Sequence, residues 1–184
     1  MKGEPMSLLA IARTAAALLL GLFAGGLIFT VLAPSLRELP GPAYVRYWQA
    51  LNGDYGRAMP VLLLTCVALL VATSALSYRR GGLTFVLSLA ATGLAIGVIV
   101  LTVTWLEPLN DIANSWHPDE PPGTWSSLRD RWWSLHLVRT VLAVAAFACL
   151  LLAQAVDQSR AASDGTGVSA PRQPEDAPAA ARRH

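Results

Sequence analysis

The chain has 184 residues, enough for one domain, and 54% of them are hydrophobic, which is too many for an ordinary soluble domain. Charged residues make up only 14%, the net charge is +2, and no basic stripe alternates with aromatic residues, which argues against a nucleic-acid partner. Cys66 and Cys149 lie inside apolar runs and form no C-x-x-C pair, which argues against a thiol oxidoreductase and a zinc site.

Four apolar segments are long enough to cross a bilayer, whose hydrocarbon core of roughly 30 Å requires about 20 helical residues. They cover about residues 8–33, 58–78, 81–106 and 132–156. The first is longer than the apolar core of a usual signal peptide, and three further spans follow it, so we expect it to be retained. The sequence therefore predicts an all-α integral membrane protein in which residues 1–157 form an antiparallel bundle of four transmembrane helices.

The connections predict how the spans are arranged. Spans two and three are joined by little more than Arg79, Arg80 and Gly81, so they must be antiparallel neighbours. The two longer connections, residues 34–57 and 107–131, then lie on the opposite side of the membrane. Residues 158–184 are rich in Ala, Pro, Ser, Gly and charge without apolar periodicity, so we expect a disordered tail that is dispensable for folding.

Positive charges predict the orientation of the bundle. Eight lysine and arginine residues lie on the side of the termini and five on the side of the long connections. Because positive residues favour the cytoplasmic side, we expect a multi-pass protein of the plasma membrane with both termini in the cytoplasm.

Aromatic residues are distributed unevenly between the two membrane faces. All six tryptophans fall on the side of the long connections. Interfacial aromatic belts normally form at both faces, so this asymmetry requires a further explanation. Either a pocket lined by aromatic rings or a surface that docks a partner would provide one.

A functional stripe is predicted on the fourth span. Its members are Trp125, Arg129, Trp132, His136 and Arg139, which fall within about 80° of one another around a helix. Arg139 lies on the order of 10 Å inside the membrane if the span begins at Trp132, and a charge there is expensive unless it faces inward and is paired. Two alternatives stay open: Arg139 reaches the headgroups along the lipid face, and His136 is a structural histidine that bonds a neighbouring helix.

The end of the third span supplies partners for this stripe. Glu107 is placed to pair with Arg129 or Arg139, and Asn110 to bond His136 or a ligand oxygen. Pro108 either kinks the helix, which frees backbone carbonyls to line a cavity, or simply ends the span. No hydrolase, metalloprotease, P-loop or dinucleotide motif is present, and we predict no metal site.

Two short motifs carry a family resemblance. The third span ends in T-x-x-x-P-x-N, with Thr104, Pro108 and Asn110. The fourth span begins with W-x-x-x-H-x-x-R, with Trp132, His136 and Arg139. Together with the four spans, these motifs resemble the DUF1772 family of small four-helix membrane proteins, known as the anthrone oxygenase family. The resemblance covers roughly residues 10–155.

The resemblance implies oxygenation of a polycyclic phenolic ketone, an anthrone, to the quinone, with O2 and without a cofactor. Under that hypothesis His136 is the base, Arg139 and Asn110 stabilise the oxyanion, and aromatic walls stack the flat substrate. The residues predicted for those walls are Trp105, Trp125 and Trp132.

A second hypothesis is not enzymatic. In it the protein is a membrane scaffold or accessory subunit that docks a partner through its Trp-rich face. The two hypotheses differ in where the aromatic residues point, because an enzyme needs an enclosed cavity and a docking protein needs exposed rings. Membrane lipids surround the protein in both, and the enzyme also binds a small lipophilic aromatic substrate and O2.

Overall fold

The computed structural model describes residues 7–80 and 82–166. Every regular element in those ranges is helical. The four main helices are α1 (Leu8–Val31), α2 (Gly41–Ser77), α3 (Gly82–Asn114) and α4 (Trp125–Thr166). A short 3-10 helix, Pro34–Glu38, lies between α1 and α2.

The four helices form an up-and-down bundle in which α1 and α3 each pack between α2 and α4. Each is long and apolar enough to cross a membrane, and the chain is therefore a multi-pass membrane protein. The predicted all-α four-helix membrane fold is confirmed. At the bundle centre, small residues such as Ala16, Ala91, Ala95 and Ala146 are fully buried, and their size lets the helices approach closely.

The helices are longer than the apolar spans they contain. α2 begins at Gly41, with Pro42 in its first turn, where a missing N–H costs no hydrogen bond. Gln49 fixes this extension to α3, because its amide nitrogen donates to the carbonyls of Ala113 and Trp116, both at 2.9 Å. Most of the two predicted long connections is consequently helical. The limits of the membrane within these helices remain a prediction.

The predicted disordered tail is only partly within the described chain. α4 continues as a helix through Thr166, so residues 158–166 are helical where the sequence predicted disorder. Arg160 donates to the carbonyl of Arg80 in the α2–α3 turn at 3.2 Å, which attaches this extension to the bundle. Residues 167–184 lie outside the described residues.

α3 contains one turn of π-helix, Thr102–Leu106, directly before Pro108. The N–H of Glu107 bonds the carbonyl of Thr102, five residues earlier. Pro108 has no N–H to donate, and the wider turn carries the helix past it, so Pro108 does not end the helix. The extra residue shifts the inward face, so that Leu106, and not Trp105, is buried.

The end of the bundle that contains the α2–α3 turn is closed by a buried ion pair. Arg13 on α1 donates to Asp157 on α4 at 3.1 Å and to the hydroxyl of Ser77 on α2 at 3.0 Å. A further hydroxyl pair, Ser74 and Thr92 at 2.9 Å, joins α2 to α3. These contacts link all four helices through polar side chains.

We expect the α2–α3 turn and the start of α4 to lie on opposite sides of the membrane. Single cysteines at Gly82 and Ser127, both exposed, are introduced into a chain whose Cys66 and Cys149 are replaced by alanine. An impermeant thiol reagent applied to sealed vesicles should label only one of them. Labelling of both from the same side would rule out the up-and-down arrangement.

We predict that Asp157→Asn destabilises the bundle by about 3–5 kcal/mol, because it leaves the buried Arg13 charge uncompensated. The control is Asp119→Asn, which removes an exposed partner of Arg46 and should cost at most about 1 kcal/mol. Equilibrium unfolding in mixed micelles measures both variants. Equal losses would show that the Arg13–Asp157 pair does not stabilise the fold.

Candidate functional site

Three helices meet at an amide between two indoles. Asn110 on α3 accepts a hydrogen bond from Trp48 on α2 at 3.1 Å and another from Trp132 on α4 at 2.9 Å, both through its Oδ1. Its Nδ2 donates to Glu107 at 3.3 Å. Both indoles are buried, with ring centroids 5.8 Å apart. We call Asn110, Trp48 and Trp132 the indole node.

His136 lies one turn below the indole node and is buried. Its ring stacks on Trp132, with centroids 4.9 Å apart and an interplanar angle of 8°. Nε2 is 3.2 Å from the carbonyl of Leu27 on α1, and Nδ1 is 2.8 Å from Nη2 of Arg139. Because a guanidinium only donates, Nδ1 must accept, which leaves the hydrogen of a neutral ring on Nε2. The hydrogen-bond network thus assigns the tautomer of His136. The bond to Leu27 also gives His136 the structural role that the sequence left open, because it joins α4 to a neighbouring helix.

Arg139 faces inward but does not have the predicted partner. Its side chain is partly buried and bonds His136, three residues earlier on the same face of α4. No hydrogen bond or ion pair joins Arg139 to Asn110 or Glu107, the predicted partners, in the described residues; the Oδ1 of Asn110 accepts from the two indoles, and Glu107 acts on Arg139 only electrostatically. Within the described residues, Arg139 forms no ion pair, and its buried Nε has no hydrogen-bond partner.

A cavity of about 420 Å³ lies between the four helices in the half of the bundle toward the indole node. Its polar lining includes Glu107, Asn110, Asn114, His136 and Arg139. Most of the remaining wall is apolar and comes from α1, α2 and α3. This composition, with a few polar groups in an apolar pocket, is typical of a site for a small lipophilic molecule.

The model of the anthrone oxygenase family matches residues 48–149, more than half of the chain. The protein belongs to this family. No curated protein and no solved structure matches the chain significantly. The matched region begins at Trp48 and includes Asn110, His136 and Arg139, so the anthrone oxygenase match covers the α2, α3 and α4 side of the cavity.

Four of the predicted site residues, Asn110, Trp132, His136 and Arg139, line this cavity. The other two do not. Trp105 is 52% exposed on the outside of α3, because the π-turn places Leu106 at the inward position. Trp125 lies outside the cavity, at the start of α4. Its ring centroid is 6.0 Å from that of Tyr44 and 4.9 Å from the guanidinium carbon of Arg129. Neither of them is a wall of the site.

The contribution of α2 to the cavity lining and to the indole node was not predicted from the sequence. Trp48, Asn52, Tyr55 and Met59 follow one another at helical spacing, and the last three line the cavity while Trp48 forms the node above it. That spacing was the available signal, but Trp48, Asn52 and Tyr55 lie in the predicted connection 34–57, which holds glycines and polar residues, and only Met59 lies in the predicted span. The bond between His136 and the Leu27 carbonyl could not be predicted from the sequence, because every residue has a backbone carbonyl.

The titratable side chains of the described residues do not gather into a metal site. No group of three or more His, Cys, Asp or Glu side chains in residues 7–80 and 82–166 is arranged to hold an ion. His117, the other histidine of the described chain, is exposed.

We predict that Asn110→Leu destabilises the protein by at least about 2 kcal/mol, since two buried indole N–H groups lose their acceptor. Asn114→Leu is the matched control one turn later on α3, because its only bond is to Asn52 and is exposed. Thermal unfolding followed by tryptophan fluorescence compares them. A variant Asn110→Leu as stable as Asn114→Leu would show that the indole node does not hold the helices together.

Proposed function

We propose that the protein is a cofactor-independent membrane oxygenase that converts a flat polycyclic phenolic ketone of the anthrone type to a quinone. One observation supports this most directly: Arg139 faces a mostly apolar cavity beside a neutral histidine and forms no ion pair among the described residues, since Glu107 lines the same cavity but does not contact it directly. An uncompensated cation inside a membrane bundle is costly, so it is retained where it binds an anion. The enolate oxygen of an ionised anthrone is such an anion, and the aromatic rings of the same molecule suit the apolar walls.

The proposed first step is an exchange of hydrogen-bond partners by Arg139. Without substrate, Nη2 of Arg139 donates a hydrogen bond to Nδ1 of His136, so this ring nitrogen cannot accept a proton. When the ring oxygen of a substrate enters the cavity, Arg139 turns toward it and uncovers the lone pair of Nδ1. His136 then removes a methylene proton, and the electron pair passes to the ring oxygen, where Arg139 stabilises it. The second N–H of the Asn110 amide is available to the same oxygen, since only one bonds Glu107.

O2 is the oxidant, and the atoms balance without a further reagent. The carbanion carbon forms a bond to O2, and His136 returns its proton to the distal oxygen, which gives a hydroperoxide. Loss of the second methylene proton breaks the O–O bond, forms the new carbonyl and releases water. One anthrone and one O2 thus give one quinone and one water.

The scaffold hypothesis is less well supported, because most of the indoles pack against one another or under arginines. Trp48 contacts Trp116 at 6.0 Å as well as Trp132, and Arg37 covers the ring of Trp133 at 5.1 Å. Trp105 is the one tryptophan of the described chain that is mainly exposed. A docking face made of a single ring is a weaker basis for function than a cavity toward which several polar groups converge.

We further propose that the protein resides in the plasma membrane with both termini in the cytoplasm. The excess of eight positive residues over five on the terminal side supports this orientation. The indole node and the polar lining of the cavity then lie toward the outer face.

The test is O2 consumption by the purified protein in lipid nanodiscs, given an anthrone and no added metal or flavin. His136→Ala should lower the rate by about 10²-fold or more, the usual contribution of a positioned base. Arg139→Leu should lower it similarly, and Arg139→Lys should not restore it, because the planar fork is lost.

The controls are His117→Ala and Arg131→Leu, which change exposed residues of the same types. Because anthrones oxidise slowly in air, rates are compared between variants and not with buffer. Equal rates for the parent protein, His136→Ala and Arg139→Leu would refute the proposed reaction.

A further inference from the structure

Part of the cavity wall is also part of the outer surface of the bundle. Leu22 on α1, Leu64 on α2 and Val103 on α3 line the cavity and are 60%, 61% and 61% exposed. All three lie in the apolar stretches predicted to cross the membrane. The surface that they share with the cavity therefore faces lipid chains and not water.

Two glycines leave free space beside this wall. Gly26 on α1 and Gly56 on α2 both line the cavity, and a Cβ added to either would meet no atom within 4 Å. Pro60 follows Gly56 by one turn and has no N–H for the Gly56 carbonyl, so α2 lacks one backbone hydrogen bond here. Gly26 and Gly56 therefore border open space at the edge of the cavity, one on α1 and one on α2.

The cavity lining is polar where α2 faces the end of α3, and we call this part of it the polar mouth. It is lined by Asn52, Tyr55, Glu107 and Asn114, and the side chains of Asn52 and Asn114 bridge it with a 3.2 Å hydrogen bond. Amides and a carboxylate suit water and small polar solutes. A flat hydrocarbon framework would have to leave the bilayer and displace those groups in order to pass.

We propose that the ligand reaches the cavity sideways from the bilayer, through an opening between α1 and α2 that Gly26 and Gly56 border. The ligand is then a neutral polycyclic aromatic molecule dissolved in lipid, and it becomes anionic only beside Arg139. The polar mouth serves water, including the water that the reaction releases. This inference rests on the proposed function, because it concerns the same cavity.

The opening can be tested with glycine pairs on the same helices. Gly26→Phe and Gly56→Phe fill the proposed opening, whereas Gly25→Phe and Gly53→Phe are matched controls. The control glycines also have no atom within 4 Å of an added Cβ, but they do not line the cavity. A milder series, Gly26→Ala and Gly26→Leu, provides graded obstruction if a phenylalanine variant fails to fold.

The probe is anthraquinone, which is not consumed and which quenches tryptophan fluorescence; Trp132 is at the cavity. Stopped-flow mixing of protein nanodiscs with vesicles that contain anthraquinone gives the rate of association, and dilution into empty vesicles gives the rate of dissociation. Gly26→Phe and Gly56→Phe should slow both rates by about tenfold or more, and the controls should stay within about twofold of the parent protein.

Four outcomes would overturn the inference. Unchanged rates in all glycine variants would mean that access lies elsewhere, and a slower rate only in Asn114→Phe would assign it to the polar mouth. Faster dissociation with unchanged association would mean that the glycines only shape the cavity. Absence of saturable quenching in the parent protein would instead refute the proposed function, and the lateral opening with it.

Discussion

α3 lacks a backbone hydrogen bond at Pro108, because proline has no N–H to donate to the carbonyl four residues earlier. The turn before it is a π-helix, and its extra residue moves the inward face from Trp105 to Leu106. Asn110 is thereby directed into the bundle, where its oxygen accepts two indole N–H groups. The polar lining of the cavity and the position of Trp132 above His136 both depend on this register.

Two arginine side chains, Arg13 and Arg139, lie among the helices, and they differ in whether an acidic side chain pairs with them. Arg13 is paired with Asp157 and bonded to Ser77, so its charge is compensated within the fold. Arg139 bonds a neutral imidazole and forms no ion pair among the described residues. A compensated charge contributes to stability, whereas an uncompensated one lowers stability unless a ligand supplies the counter-charge. The two ends of the bundle therefore have separate roles, one structural and one proposed to bind the substrate.

The local properties of the sequence were sufficient to predict the four helices and the meeting of Asn110, His136 and Arg139. Apolar length and helical spacing act over a few turns, so they are readable without a structure. The outward position of Trp105 was not predictable, because a π-turn shifts every later residue and leaves no compositional trace. The helical start of α2 was also hidden, since tertiary bonds such as those of Gln49 stabilise residues that disfavour helices.

The ion pair that closes the terminal end joins residues 144 positions apart, one in the first helix and one in the last. Arg13 is synthesised long before Asp157, so its charge must remain solvated at the membrane surface until α4 has been inserted. The hydrogen bond between His136 and the Leu27 carbonyl spans the same two helices and waits for the same event. The hydrogen bond between the hydroxyl groups of Ser74 on α2 and Thr92 on α3 can form before α4 is inserted. During biogenesis, the cavity is therefore completed only after α4 has been inserted, and a chain interrupted before α4 has neither the Arg13–Asp157 ion pair nor the site.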